Sequence, residues 1–186
     1  MTFPTQSAPQ TQQITVGKLG EMFVAHWLQL QGWTLVAQGW HCRWGELDII
    51  AQQCLQASEP IQQQADSRFT LAFVEVKTRG QGNWDADGLL AITPQKQAKL
   101  WKTAQVFLTQ NPQLTGLSCR FDVALVKYRR SPQTSQTFSL QSSRILSGDR
   151  TPPAIRFPTS ILPGQPVSVA GYQLKLETYL EAAFSH

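Results

Sequence analysis

From residue 15 onward the apolar positions fall into short runs of different spacing. Val16, Leu19, Phe23, Trp27 and Leu30 recur at three- and four-residue intervals, which predicts a helix over 15–31 that Thr15 caps and Gly32 ends. A short strand is expected over 33–37. Polar and apolar residues alternate through Glu46-Leu47-Asp48-Ile49, predicting a strand over 43–51. Over 69–77 a second strand puts Val74 and Val76 on one face and Glu75 and Lys77 on the other. Thr93-Pro94 opens another helix, with Thr as cap and Pro in the first position, and Asn111-Pro112 stops it. Its apolar side reads as Ala98, Leu100, Trp101, Ala104 and Leu108, with Gln97 among them and Lys96, Lys99 and Lys102 opposite. Strands over 121–128 and 172–176 complete the set. Helix, strands, helix, strand and a last short element suggest an α/β sandwich around a mixed central sheet.

Between these runs the chain is polar. Residues 1–14 read as a flexible tail, and the Gln-rich stretch 54–67, with Pro60, as a long loop inserted in a core domain spanning 15–128. Residues 129–171 are rich in Ser, Thr, Gln and Pro and are far longer than an ordinary connection. Within them Ile161-Leu162 and 167–169 are the parts expected to dock, and 172–186 is expected to pack on the core as a C-terminal element.

Composition narrows the possibilities. A chain of 186 residues with 41% apolar content is a globular domain that needs no disulfide staples. Sixteen basic against twelve acidic residues leave +4, which permits a polyanionic partner without demonstrating one. Cys42, Cys54 and Cys119 form no Cys-x-x-Cys pair, so neither a disulfide framework nor a thiolate zinc site is indicated. No apolar run approaches the ~18 residues of a membrane span, and the first residues lack the pattern of a secretion signal. A cytoplasmic protein with reduced thiols and no membrane partner is expected.

Acidic residues are scarce, yet Asp48 and Glu75 lie inside strand patterns, and Lys77 shares the strand side of Glu75. Burying carboxylates costs several kcal/mol unless they are paired or bind metal. A structural Glu–Lys pair would satisfy that requirement. So would a site in which two carboxylates hold a hard cation and a lysine orients or deprotonates a water.

Four motifs in order carry a resemblance: Gly17-x-x-Gly20-Glu21, Gly45-Glu46-Leu47-Asp48-Ile49-Ile50, Phe73-Val74-Glu75-Val76-Lys77-Thr78-Arg79, and Arg120-Phe121-Asp122. Over about residues 15–128 the chain resembles the YraN-like family of predicted endonucleases, which is similar to the PD-(D/E)XK nuclease superfamily and to archaeal Holliday-junction resolvases. The resemblance implies a restriction-endonuclease-like mixed sheet flanked by helices. It implies that Asp48 and Glu75 bind Mg2+ or Mn2+, that Lys77 is the catalytic lysine, and that Glu21 completes the metal and catalytic set. The substrate it implies is DNA, structured or branched, and a resolvase-like action would need a homodimer. The two polar insertions, after Cys54 and after Tyr128, depart from the family's compact pattern.

Other residues keep two readings each. Glu21 is either a site acid or a helix-surface residue. Glu46 could join a metal shell or pair with Arg43 or Arg79. Lys96, Lys99 and Lys102 together with Arg79 could form a phosphate track, or the lysines could be a solvated face. Trp40, Trp44 and Trp84 could stack on bases or pack. Gln97-x-x-x-Trp101 resembles a Gln-x-x-x-Tyr motif of some nucleases in the superfamily, but an edge-of-domain Gln is the simpler reading. His26, His41 and His186 have no metal-ligand spacing, and no Gly-rich phosphate loop is present. Two functions of different class follow: a metal-dependent phosphodiesterase acting on DNA, and a nucleic-acid-binding module of the same fold that does not cut. A third is an adaptor whose polar insertions bind a protein.

Overall fold

The computed structural model describes residues 14–54, 69–80, 92–131 and 155–184. The expected tail, the loop after Cys54 and most of the second insertion lie outside these residues, as does Trp84. Helix α1 (Val16–Leu30) starts where Thr15 Oγ1 accepts the Lys18 N–H at 3.2 Å. It closes at Gly32, whose φ of +84° lets Trp33 N–H return to the Leu28 carbonyl at 3.0 Å. Strands β1 (Thr34–Cys42), β2 (Gly45–Cys54) and β3 (Phe69–Gly80) follow, then helix α2 (Pro94–Gln110), a 3-10 turn (Pro112–Leu114), and strands β4 (Ser118–Arg130), β5 (Pro166–Val169) and β6 (Tyr172–Phe184).

The six strands form one mixed sheet in the order β1-β2-β3-β4-β6-β5. The pair β3–β4 is parallel and joined across α2, and every other pair is antiparallel. Alternation along the strands divides the core in two. Val74, Val76, Ala124, Val126, Leu174 and Leu176 face α1. Leu71, Phe73, Phe121, Val123 and Leu125 face α2. The chain is thus an α/β fold with a central sheet flanked by helices. Among the described residues no helix is long and apolar enough to cross a membrane.

Four expectations shift. Strand β1 runs on to Cys42, and β6 runs on to Phe184 rather than stopping at Leu176. In the second insertion Ile161 and Val169 are buried, but Leu162 is 57% exposed and does not dock. The buried side of α2 is Leu100, Thr103, Ala104 and Phe107, and Ala98 is exposed. Thr103 shifts the phase of that stripe. Its hydroxyl donates to the Lys99 carbonyl at 2.7 Å, so a polar residue sits inside without an unmet hydrogen bond. The consequence is that Lys96, one turn before Leu100, belongs to the sheet-facing side and not to the opposite face.

Candidate active site

A kink in the β1–β2 hairpin creates the site. Gly39 has φ +61°, a left-handed value that glycine takes without strain. Ala37 and Trp40 consequently both pack on the α2 side although they are three residues apart, and on the paired strand Leu47 and Ile50 do the same. Asp48, between them, is therefore released from the strict in-and-out alternation. The β2–β3 ladder ends at Ile49 and Val74. Beyond it the Val76 N–H donates to Asp48 Oδ2 at 2.7 Å, so a side-chain carboxylate replaces a strand carbonyl.

Glu75, on the adjacent position of β3, is 6% exposed and points to the α2 side. Its Oε1 accepts from Lys77 Nζ at 2.5 Å and also from Lys96 Nζ. Lys96 reaches it because Thr93 caps α2, accepting the Lys96 N–H at 3.3 Å, and so holds the first helical turn against the end of β3. Burial, joined by the Glu75 charge and opposed by the Val76 hydrogen bond, leaves the Asp48 pKa raised to about 7. Burial likewise pulls the Lys77 ammonium below its ordinary value against the attraction of Glu75.

Glu21 approaches from the other side of the sheet. A Cβ on Gly20 would stand 1.9 Å from Thr78 Oγ1 and 3.0 Å from Thr78 Cβ, so glycine is what lets α1 lie this close to β3. Glu21 is held by Lys18 Nζ at 2.7 Å, and its charge adds a smaller upward push on Asp48.

The family-model comparison covers this whole arrangement: the model described as "Uncharacterised protein family UPF0102" matches residues 20–126. The chain belongs to the UPF0102 family. This bears out the YraN-like resemblance of the sequence. UPF0102 proteins of Acaryochloris marina and Trichodesmium erythraeum are 46% and 45% identical to it, over 98% and 94% of this chain and 99% and 91% of theirs. A UPF0102 protein of Thermosynechococcus vestitus is 48% identical over 132 residues, which make up 96% of that protein and 68% of this chain.

In this UPF0102 chain the other expected residues are spread out. Lys99 lines a groove of about 350 Å³ together with Trp44, Glu46, Lys96 and Thr103. Glu46 is exposed there. Lys102 Nζ lies 4.4 Å and Arg43 Cζ 4.9 Å from the centre of the Trp44 ring. Arg79 follows Lys77 on the same face of β3. Trp40 packs edge-on against Phe107 at 5.3 Å. Gln97 Nε2 donates to the Ile92 carbonyl at 3.2 Å, satisfying it at the helix start. The motif residue Asp122 is fully buried, accepting from Tyr179 Oη at 2.7 Å and Ala182 N at 2.8 Å.

Among the described residues no three His, Cys, Asp or Glu side chains gather at metal-holding spacing. Asp48 and Glu75 lie near enough for the Glu75 charge to add to the rise that burial gives Asp48. That donor set fits Mg2+ or Mn2+ chemistry, because such ions keep several waters and take one or two carboxylates plus substrate phosphate oxygens. Lys96 on Glu75 is the site residue that the sequence reading assigned elsewhere. The Thr93-Pro94 cap was the available signal, since it fixes Lys96 in the first turn.

Proposed function

We propose that the protein hydrolyses phosphodiester bonds in DNA, with structured or branched DNA as its substrate and Mg2+ or Mn2+ as its cofactor. The observation that carries this reading is the pair of carboxylates, Asp48 and Glu75, set beside Lys77 where the β2–β3 ladder opens. Asp48 and Glu75 would hold the cation. When bound, a divalent cation supplies Lewis-acid polarisation of the phosphoryl oxygens. Lys77 lies on Glu75 and orients the attacking water while balancing negative charge as the phosphoryl group is displaced in line. Glu21 contributes a third negative charge from α1, relayed at a distance. The parallel strands β3 and β4 end beside the start of α2, the position at which open α/β sheets commonly take ligands.

A second reading, a nucleic-acid-binding module that does not cut, draws on one observation: Oε1 of the buried Glu75 already has two lysine partners. The two readings separate in a cleavage panel of linear, nicked, flapped and four-way DNA with Mg2+ or Mn2+. The nuclease reading expects products from at least one branched substrate, lost in Asp48→Asn. Binding to these DNAs with no product in any lane would support the module instead.

A further inference from the structure

Beyond the reach of α2, the same sheet face changes from apolar to basic. On β3 the α2-facing positions run Phe73, Glu75, Lys77, Arg79, and on β4 they run Phe121, Val123, Leu125, Lys127, Arg129. The register makes Arg79 the direct neighbour of Lys127, and Lys127 the direct neighbour of Lys175 on β6. Three cations thus stand side by side across three strands. Like charges placed directly opposite on a sheet destabilise it, so such a row needs a reason.

Among the described residues the carboxylate of Glu177 tempers the row. Glu177 takes Lys127 Nζ on Oε1 at 2.9 Å and Lys175 Nζ on Oε2 at 2.5 Å, at the point where the β4–β6 pairing shifts register. Both lysines hold its carboxyl below the usual range. Arg129 Nε donates to Gln173 Oε1 at 2.6 Å one step further along. A cavity of about 330 Å³ opens over this patch, lined by Lys127, Tyr128, Arg129, Gly164, Gln173 and Lys175 and by Pro166 of β5. The half-face from Lys77 to Arg129 and Lys175 holds five of the chain's sixteen basic residues.

We propose that Arg79, Lys127 and Lys175 form a track for the sugar-phosphate backbone of DNA, running from Lys77 across β4 to β6. Strands in a sheet lie about 4.8 Å apart, so the row spans roughly 10 Å from β3 to β6. Successive phosphates on one strand are separated by more than their axial rise of about 3.4 Å, so that length fits about two of them. The track begins at the candidate active site, and it lies on the sheet instead of on the exposed lysines of α2. The proposal rests on the nucleic-acid part of the proposed function and is independent of cleavage.

The test measures binding of a fluorescent four-way junction and a duplex to the full chain, without divalent metal, across a salt series. The double variant Lys127→Gln/Lys175→Gln should weaken binding about tenfold or more and lower the salt slope by about two, since each lost duplex contact removes about 0.9. Glu177→Gln should do the reverse, tightening binding about three- to tenfold while lowering the melting temperature. A purely structural role would move affinity and melting temperature together, so Glu177→Gln decides the matter even if the double variant folds poorly. Wild-type binding with neither variant altering affinity or slope overturns the track and leaves the nuclease reading standing. Absence of any wild-type DNA binding at low salt overturns both. Tighter binding of poly-glutamate than of DNA, lost in the same double variant, would overturn the DNA assignment in favour of an acidic protein partner.

Discussion

The carboxylate of Asp48 accepts the backbone N–H of Val76 at 2.7 Å, one position past the last rung of the β2–β3 ladder. This contact places a carboxyl group in the plane of the sheet, beside Glu75, and not on either face. It also explains why the hairpin bends at Gly39: without the kink Asp48 would point into one of the two apolar layers.

The position of Asp48 has a pH consequence. Its carboxyl keeps a proton up to about pH 7 in the folded chain, against an ordinary value of 3.8. Between those two values the folded state binds the extra proton, so stability should increase as pH falls from about 7 toward 4 and decrease as pH rises through 7. The effect across that window should be on the order of 4 kcal/mol, a shift of roughly ten degrees in melting temperature. Asp48→Asn retains an acceptor for Val76 and should flatten that part of the profile. Parallel profiles for wild type and variant would place the titration elsewhere.

Gly20→Ala should be destabilising by about 2–3 kcal/mol in urea titrations, because the new methyl would overlap the Thr78 side chain and α1 would have to lift from β3. Adding Thr78→Ala should recover much of the loss. Thr78 Oγ1 is buried without a hydrogen-bond partner among the described residues, so its removal costs little in return. Failure of the second substitution to rescue the first would mean that the helix is held off by something other than this contact.

Much of this arrangement is legible in the sequence, and the parts that are not have physical causes. Val74 and Val76 alternating with Glu75 and Lys77 identify β3 and its faces directly. Asp48 is readable as a strand acid, but its turn into the sheet plane depends on the left-handed Gly39, which lies past the end of the apolar run that marks β1. Lys96 was hidden because Thr103, a polar residue on the buried side of α2, moves the phase of the apolar stripe. The second half of β6 was hidden because its alternation is broken twice, by the register shift at Glu177 and by Ala182 at φ +46°.

Asp122 should prove structural. Its carboxylate ties β4 to β6 by accepting from Tyr179 Oη and Ala182 N, and it also accepts from Arg120 Nε of its own strand at 3.1 Å. Burial pushes its pKa up while these donors pull it down. Asp122→Ala leaves the donors unmet and should be destabilising by about 3 kcal/mol or more, and Tyr179→Phe by about 1 kcal/mol. Chemical denaturation of both variants measures this. Neither change should remove stabilisation by Mn2+, provided the chain stays folded. Loss of that stabilisation in folded Tyr179→Phe would tie Asp122 to the site.

The most direct test of the central claim, that Asp48 and Glu75 form a cation site, is the melting temperature of the full chain with and without millimolar Mn2+. A cation bound only by the folded state stabilises by mass action, about 2.7 kcal/mol at a hundredfold excess over its dissociation constant, which is several degrees for a chain of this size. Such a rise is expected for wild type, and little or none for Asp48→Asn. No rise in wild type, or an equal rise in both, would contradict the claim.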